Sequence, residues 1–186
     1  MEDMRILVAY ASVHGSTAEI ARAIALTLRR AGMDVDVAPV NEIEDVRSYD
    51  SVIAGSAVYG GRWREDALRF LERFGPDLAH TRLWLFQSGP LGRSAQYIIR
   101  SLSANVASFA ECMCVKGCAT FGGKLDSTTP GPLAHILARA GLAHDYRDFS
   151  EIRMWAEEIA RSTALGAGSH RTHTPYGRPV PASSRF

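Results

Sequence analysis

The stretch Tyr10-Ala-Ser-Val-His-Gly-Ser-Thr-Ala-Glu19, YASVHGSTAE, joins two segments of different periodicity. Before it, Ile6-Leu-Val-Ala9 is apolar without alternation, the pattern of a strand buried on both faces of a parallel sheet. After it, Ile20, Ala21, Ile24, Leu28 and Ala31 recur at the 3.6-residue period, so residues 17–31 are predicted to form a helix. Arg22, Arg29 and Arg30 fall off that stripe, and Gly32 supplies the expected stop. A strand feeding a helix through a short loop is the first half of a β-α-β unit, and the chain repeats the device.

Residues 33–39 alternate, with Met33, Val35 and Val37 set against Asp34 and Asp36, as in a strand with one wetter face near a sheet edge. Residues 51–55 read as a third strand, and residues 63–74 as a helix whose inner stripe is Ala67, Leu68, Phe70, Leu71 and Phe74. A fourth strand at 82–86, a helical stretch at 94–107 and a fifth strand at 116–121 follow. In the last helix, Asp148 is the expected N-cap, Glu151 lies three residues on, and Ile152, Trp155, Ala156 and Ile159 share one face. Strands alternating with helices imply an α/β fold, a parallel sheet covered on both sides by right-handed crossovers. From residue 163 the composition turns to Gly, Ser, His, Thr and Pro, too polar to offset ordering entropy, so residues 163–186 are expected to form a disordered tail after a domain at 4–162.

A length of 186 residues suits one such domain, and 46% hydrophobic with 22% charged residues is ordinary for a globular protein. The net charge of +1 gives no general attraction to nucleic acid. No apolar run is long enough to span a membrane, and MEDMRILVAY carries acids where a secretory leader would be basic, so a cytoplasmic location is expected. Cys112, Cys114 and Cys118 lack a matching histidine spacing for zinc and are read as reduced, mostly packed thiols.

Ligands of open α/β sheets bind at the carboxyl ends of the strands, where strand order reverses. Three loops there stand out. The first, Ser12-Val-His-Gly-Ser-Thr17, includes Ser16 and Glu19 in the S-x-x-E spacing of a capping box. It would place free backbone N–H groups and the positive end of a helix dipole beside three hydroxyls, a phosphate seat that needs no lysine. From this loop alone, a ligand seat and a plain helix cap are equally good readings. Neither G-x-x-x-x-G-K-[ST] nor G-x-G-x-x-G is present, so a terminal phosphate monoester fits better than a nucleoside triphosphate or a dinucleotide. The second loop, Gly55-Ser-Ala-Val-Tyr-Gly-Gly-Arg-Trp63, offers aromatic surface to stack on a flat ligand, Tyr59 before Trp63. The third, Gln87-Ser-Gly-Pro-Leu-Gly92, is small and glycine-rich at another strand end.

On these residues the chain resembles the flavodoxin family, whose first loop has the pattern [ST]-x-[TN]-G-x-T; only His14 departs from it. The resemblance implies a flavodoxin-like three-layer sandwich whose five-stranded parallel sheet has the order 2-1-3-4-5. It also implies FMN as cofactor, with the phosphate on Ser12, Val13, His14, Gly15, Ser16 and Thr17. The isoalloxazine ring would lie between Ser56, Ala57, Val58, Tyr59, Gly60 and Gly61 on one side and Ser88, Gly89, Pro90, Leu91 and Gly92 on the other. No catalytic side chain is implied, since the flavin carries the chemistry.

A narrower resemblance, carried by Gly55-Ser-Ala-Val-Tyr-Gly60, Phe121-Gly-Gly-Lys-Leu-Asp126 and Asp145-Tyr-Arg-Asp-Phe-Ser-Glu-Ile-Arg-Met-Trp-Ala156, points to flavodoxin-domain proteins that include menaquinone-dependent protoporphyrinogen oxidase. It implies a quinone or porphyrinogen-type substrate. The membrane-bound members carry basic, apolar segments near the third loop, whereas residues 91–107 here contain only Arg93 and Arg100, which leaves peripheral membrane contact open.

Two other readings compete. A simple electron carrier of this family is typically strongly acidic, which the charge of +1 disfavours. A flavin-free signalling module of receiver type needs an acidic pair and an aspartate where Ala11-Ser12 and Gly55-Ser56 stand. In that reading the arginines of residues 171–185 would be the contact element.

Overall fold

In the computed structural model, residues 4–89, 102–113, 115–124, 139 and 144–169 are described. The chain runs β1 (Arg5–Ala11), α1 (Ser16–Arg30), β2 (Asp34–Pro39), a 3₁₀ turn (Val40–Glu42), β3 (Ser51–Tyr59), β4 (Arg62–Trp63), α2 (Glu65–Arg73), α3 (Gly75–Leu78), β5 (Arg82–Gly89), α4 (Ala104–Cys112), β6 (Val115–Gly122) and α5 (Phe149–Ser169). The parallel strands lie in the order β2-β1-β3-β5-β6, with β4 paired antiparallel to β3. Leaving out the two-residue β4, this is the expected 2-1-3-4-5 order.

Strand alternation divides the core into two layers. Ile6, Val8, Ile53, Trp84 and Phe86 face Ile20, Ile24 and Leu28 of α1 and Ile152, Ala156 and Ile159 of α5. Leu7, Ala9, Val52, Ala54, Leu83 and Leu85 face Ala67, Phe70 and Leu71 of α2 and Val106 of α4. Both stripes are almost wholly buried, at about 1.5–3 kcal/mol for each large side chain taken out of water.

The helix ends follow the sequence closely in two places. Met33 N–H donates to Leu28 O and Gly32 N–H to Arg29 O, the paired bonds of a Schellman stop at Gly32. Asp148 Oδ1 accepts from Ser150 N–H at 2.9 Å and Glu151 N–H at 3.2 Å, as an N-cap does.

Other boundaries moved. The strand expected to end at Gly55 runs on to Tyr59, because Ser56, Ala57 and Val58 stay paired with neighbouring strands. Trp63 belongs to β4 and is 3% exposed, and the helix expected from residue 63 starts at Glu65. The described helix of the third crossover is Ala104–Cys112; residues 94–101 of the expected 94–107 helix lie outside the described residues. α5 continues through Thr163, which is fully buried, to Ser169, beyond the expected start of the tail; residues 170–186 lie outside the described residues. Cys112 and Cys118 are exposed rather than packed, since β6 is an edge strand and Cys112 is the last residue of α4; Cys114 lies outside the described residues.

Among the described residues no helix is long and apolar enough to cross a membrane. No group of three or more His, Cys, Asp or Glu among them is placed to hold a metal ion.

Candidate functional site

β1, β3, β5 and β6 end on the same side of the sheet, and an open cleft lies there. Ser12, His14, Ser16 and Thr17 line it from the first loop, Ala57, Val58 and Tyr59 from β3, and Ser88 and Gly89 from β5. Three segments far apart in sequence thus meet in one place.

The start of α1 differs from the expected capping box. Gly15, at φ 82°, is the N-cap: its carbonyl accepts Glu19 N–H at 2.9 Å, and Ser16 is already helical. A serine caps from an extended backbone, a conformation Ser16 does not have, whereas Gly15 accepts the left-handed turn without a Cβ penalty. No side chain caps the helix, so the first-turn amides keep their need for a partner at its positive end. Freed of capping, Ser16 Oγ accepts the backbone N–H of Lys124 at 3.0 Å, and the Glu19 carboxylate pairs with Arg147 at 2.6 Å.

The hydroxyls of the cleft are arranged to donate. Ser12 Oγ accepts Gly15 N–H at 3.1 Å, and Ser16 Oγ accepts as above; each retains its own hydrogen. Thr17 and Ser88 share one hydrogen bond at 2.8 Å in a buried contact. Whichever donates, the other keeps a hydrogen for a third group. Spare hydroxyl donors beside a helix N-terminus suit an anion rich in acceptors.

Tyr59 and His14 stand at the mouth, their rings edge to face with centroids 6.3 Å apart. Tyr59 is 47% exposed, and burial of the remainder pushes its phenol above the ordinary range, only partly offset by Arg64. It therefore stays neutral at physiological pH and offers a flat face.

Several expected contact residues stand elsewhere. Gly60 and Gly61, at φ 57° and 75°, form the two-residue turn between Tyr59 and Arg62, and that turn is what demands a glycine pair; neither lines the cleft. Ser56 is fully buried, donating to Ala57 O and accepting Arg64 N–H at 3.0 Å. Val13 points to solvent, 52% exposed, and Gly15 contributes backbone only. Pro90, Leu91 and Gly92 lie outside the described residues.

Trp63 offers no stacking face to the cleft: it is tied into the core through Nε1–H to Gln87 Oε1 at 2.9 Å. The same oxygen accepts Ser103 N–H and Ser103 Oγ–H, both at 3.1 Å, while Gln87 Nε2 donates to Thr120 Oγ1 at 3.0 Å. Gln87 is fully buried and fastens β5, β4, β6 and the start of α4 together next to the cleft.

Gly123 and Lys124, part of the Phe121–Asp126 stretch that carries the narrower resemblance but not among the expected cofactor contacts, also line the cleft. They directly follow β6, so the rule that marked the other loops, position at a strand's carboxyl end, marks them too. The seat is therefore not lysine-free.

A family model described as Flavodoxin domain matches residues 7–133. The chain belongs to the flavodoxin domain family, whose members generally bind FMN. Among curated proteins no sequence matches. A flavodoxin from the domain Archaea superposes with a TM-score of 0.59 at 15% identity, over 87% of this chain and 99% of that one. The flavodoxin of Streptococcus pneumoniae TIGR4 gives 0.57 at 20% identity, over 85% and 99%. Rubredoxin oxygen:oxidoreductase from Desulfovibrio gigas gives 0.60 at 16% identity, over 89% of this chain, which spans only 37% of that one. At these identities the likeness is one of fold. The narrower resemblance to protoporphyrinogen oxidases gains no support from these comparisons.

Proposed function

We propose that the chain is an FMN-binding flavoprotein that transfers electrons through a flavin held in this cleft. The observation that carries the reading is the donor-rich rim around the uncapped start of α1, opposite the half-exposed ring of Tyr59. Ser12, His14, Ser16 and Thr17 would hold the phosphate, and Ala57, Val58, Tyr59, Ser88 and Gly89 would border the ring. When bound, FMN supplies one- or two-electron chemistry. The chain's residues supply position, exclude water from one ring face and set the local polarity. Reconstitution with FMN tests this: yellow absorbance with quenched flavin fluorescence supports it, and unchanged free-flavin fluorescence removes it.

For the acceptor, a quinone or porphyrinogen-type molecule is our first reading, because a net charge of +1 lacks the acidity of a carrier that docks on basic partners. A carrier without its own substrate is the second, favoured by the exposed Val13 and Tyr59 at the cleft mouth, which offer apolar contact to another protein. Quinone- or protoporphyrinogen-linked turnover by the purified flavoprotein separates them, since a pure carrier shows none without a reductase.

A further inference from the structure

The first loop contains no lysine, but the fold brings one to it. Lys124 lines the cleft and donates its backbone N–H to Ser16 Oγ at 3.0 Å. Its place is fixed from the far side by an antiparallel bridge to Asp145. Gly123, one residue earlier, donates to Gly89 O at 2.5 Å and accepts Tyr146 N–H at 3.0 Å. Lys124 is thus set by backbone hydrogen bonds and not by its side chain alone.

The charges around it need balancing. Arg147, whose side chain is 6% exposed, grips Asp145 through Nε at 2.8 Å and Nη2 at 2.6 Å, and Glu19 through Nη1 at 2.6 Å. One guanidinium between two carboxylates leaves one net negative charge one turn from the start of α1, where it would repel a phosphate dianion. Lys124, bridged to Asp145 through the backbone, brings a positive charge to the neighbourhood of that group. Its ammonium acts on the same Asp145 carboxyl, which is held below its ordinary range chiefly by Arg147.

Resting on the FMN reading above, we infer that Lys124 is the charge-balancing residue of the phosphate end, and that it makes the cleft select the phosphorylated flavin over riboflavin. The helix amides and hydroxyls orient the phosphate; Lys124 removes the negative field that would oppose it. A neutral side chain at this position restores that field on the phosphate alone.

The test is titration of the full chain and its Lys124→Gln and Lys124→Arg variants with FMN and with riboflavin, at low and high salt. Lys124→Gln should bind FMN about 10-fold more weakly, the size of one partly screened charge near a protein surface, with riboflavin binding unchanged. Lys124→Arg should recover most of the FMN affinity, and the salt dependence of FMN binding should be shallower in Lys124→Gln. Equal FMN binding by wild type and Lys124→Gln overturns the inference while leaving the flavin reading intact. Equal losses for both flavins also overturn it, showing Lys124 to be a structural residue. A wild-type chain that binds neither flavin overturns the flavin reading, and this inference with it.

Discussion

Two polar clusters sit side by side near the carboxyl end of the sheet, and they are built on opposite principles. Around Gln87, in the core, one amide oxygen takes three donors and the amide nitrogen finds Thr120. Around Ser12, Ser16 and Thr17, in the cleft, hydroxyls accept backbone or hydroxyl donors and keep hydrogens to spare. A polar group sealed from water must be satisfied within the protein, whereas one facing an open cleft can wait for a ligand. The first cluster holds the sheet and its α4 face together; the second keeps hydroxyl hydrogens to spare at the edge of the cleft.

Mutations that cross this line should separate the two roles. The largest effect is expected for Gln87→Ala, which strands Trp63 Nε1–H and Ser103 N–H in the core. Loss of about 2–4 kcal/mol should appear in urea unfolding, with flavin affinity of the folded fraction changed little. Next comes Arg147→Ala, which leaves Glu19 and Asp145 without their shared partner; their exposure limits the cost to about 1–2 kcal/mol.

That ion pair also sets a pH dependence. Hydrogen bonds from Arg147 hold the Asp145 carboxyl below its ordinary range. A carboxyl whose pKa falls on folding stabilises the folded chain fully above its unfolded pKa, roughly 3.9, and loses that contribution as pH drops through the folded value. The urea midpoint should therefore fall between pH 6 and pH 3, and Asp145→Asn should fall less.

Thr17→Val removes the buried bond to Ser88 and should cost about 1 kcal/mol of stability together with several-fold in FMN affinity by fluorescence titration. The smallest change is expected for His14→Thr, which restores the family pattern at an exposed position: FMN affinity should hold or rise. A large loss there would mean that the imidazole, and not the loop backbone, carries the phosphate.

The same contrast explains what was legible in the sequence. The apolar runs of β1, β3 and β5 and the stripe of α1 specify strand and helix locally, and with the crossover rule they define the sheet. Position at strand ends also drew attention to the three segments that line the cleft, although Ala57–Tyr59 and Ser88–Gly89 are strand residues rather than loop. It could not tell Gly60-Gly61 as a hairpin turn from a ligand approach, because both use glycine for its backbone freedom. Ser16 and Glu19 have the spacing of a capping box, but their partners are Lys124, 108 residues away, and Arg147, 128 residues away. No local pattern encodes such partners; they follow from β6 and the segment before α5 arriving at the same edge. Lys124 stands at a strand's carboxyl end, which the sequence does show, but its partners Ser16 and Asp145 are set by the fold.

The central claim is that the surplus of donors in the cleft is met by FMN. Native mass spectrometry of the full chain purified under mild conditions with FMN present tests it most directly. One FMN per chain is predicted, lost on denaturation. A bare polypeptide mass at saturating FMN, from a chain whose circular dichroism shows it to be folded, would contradict it.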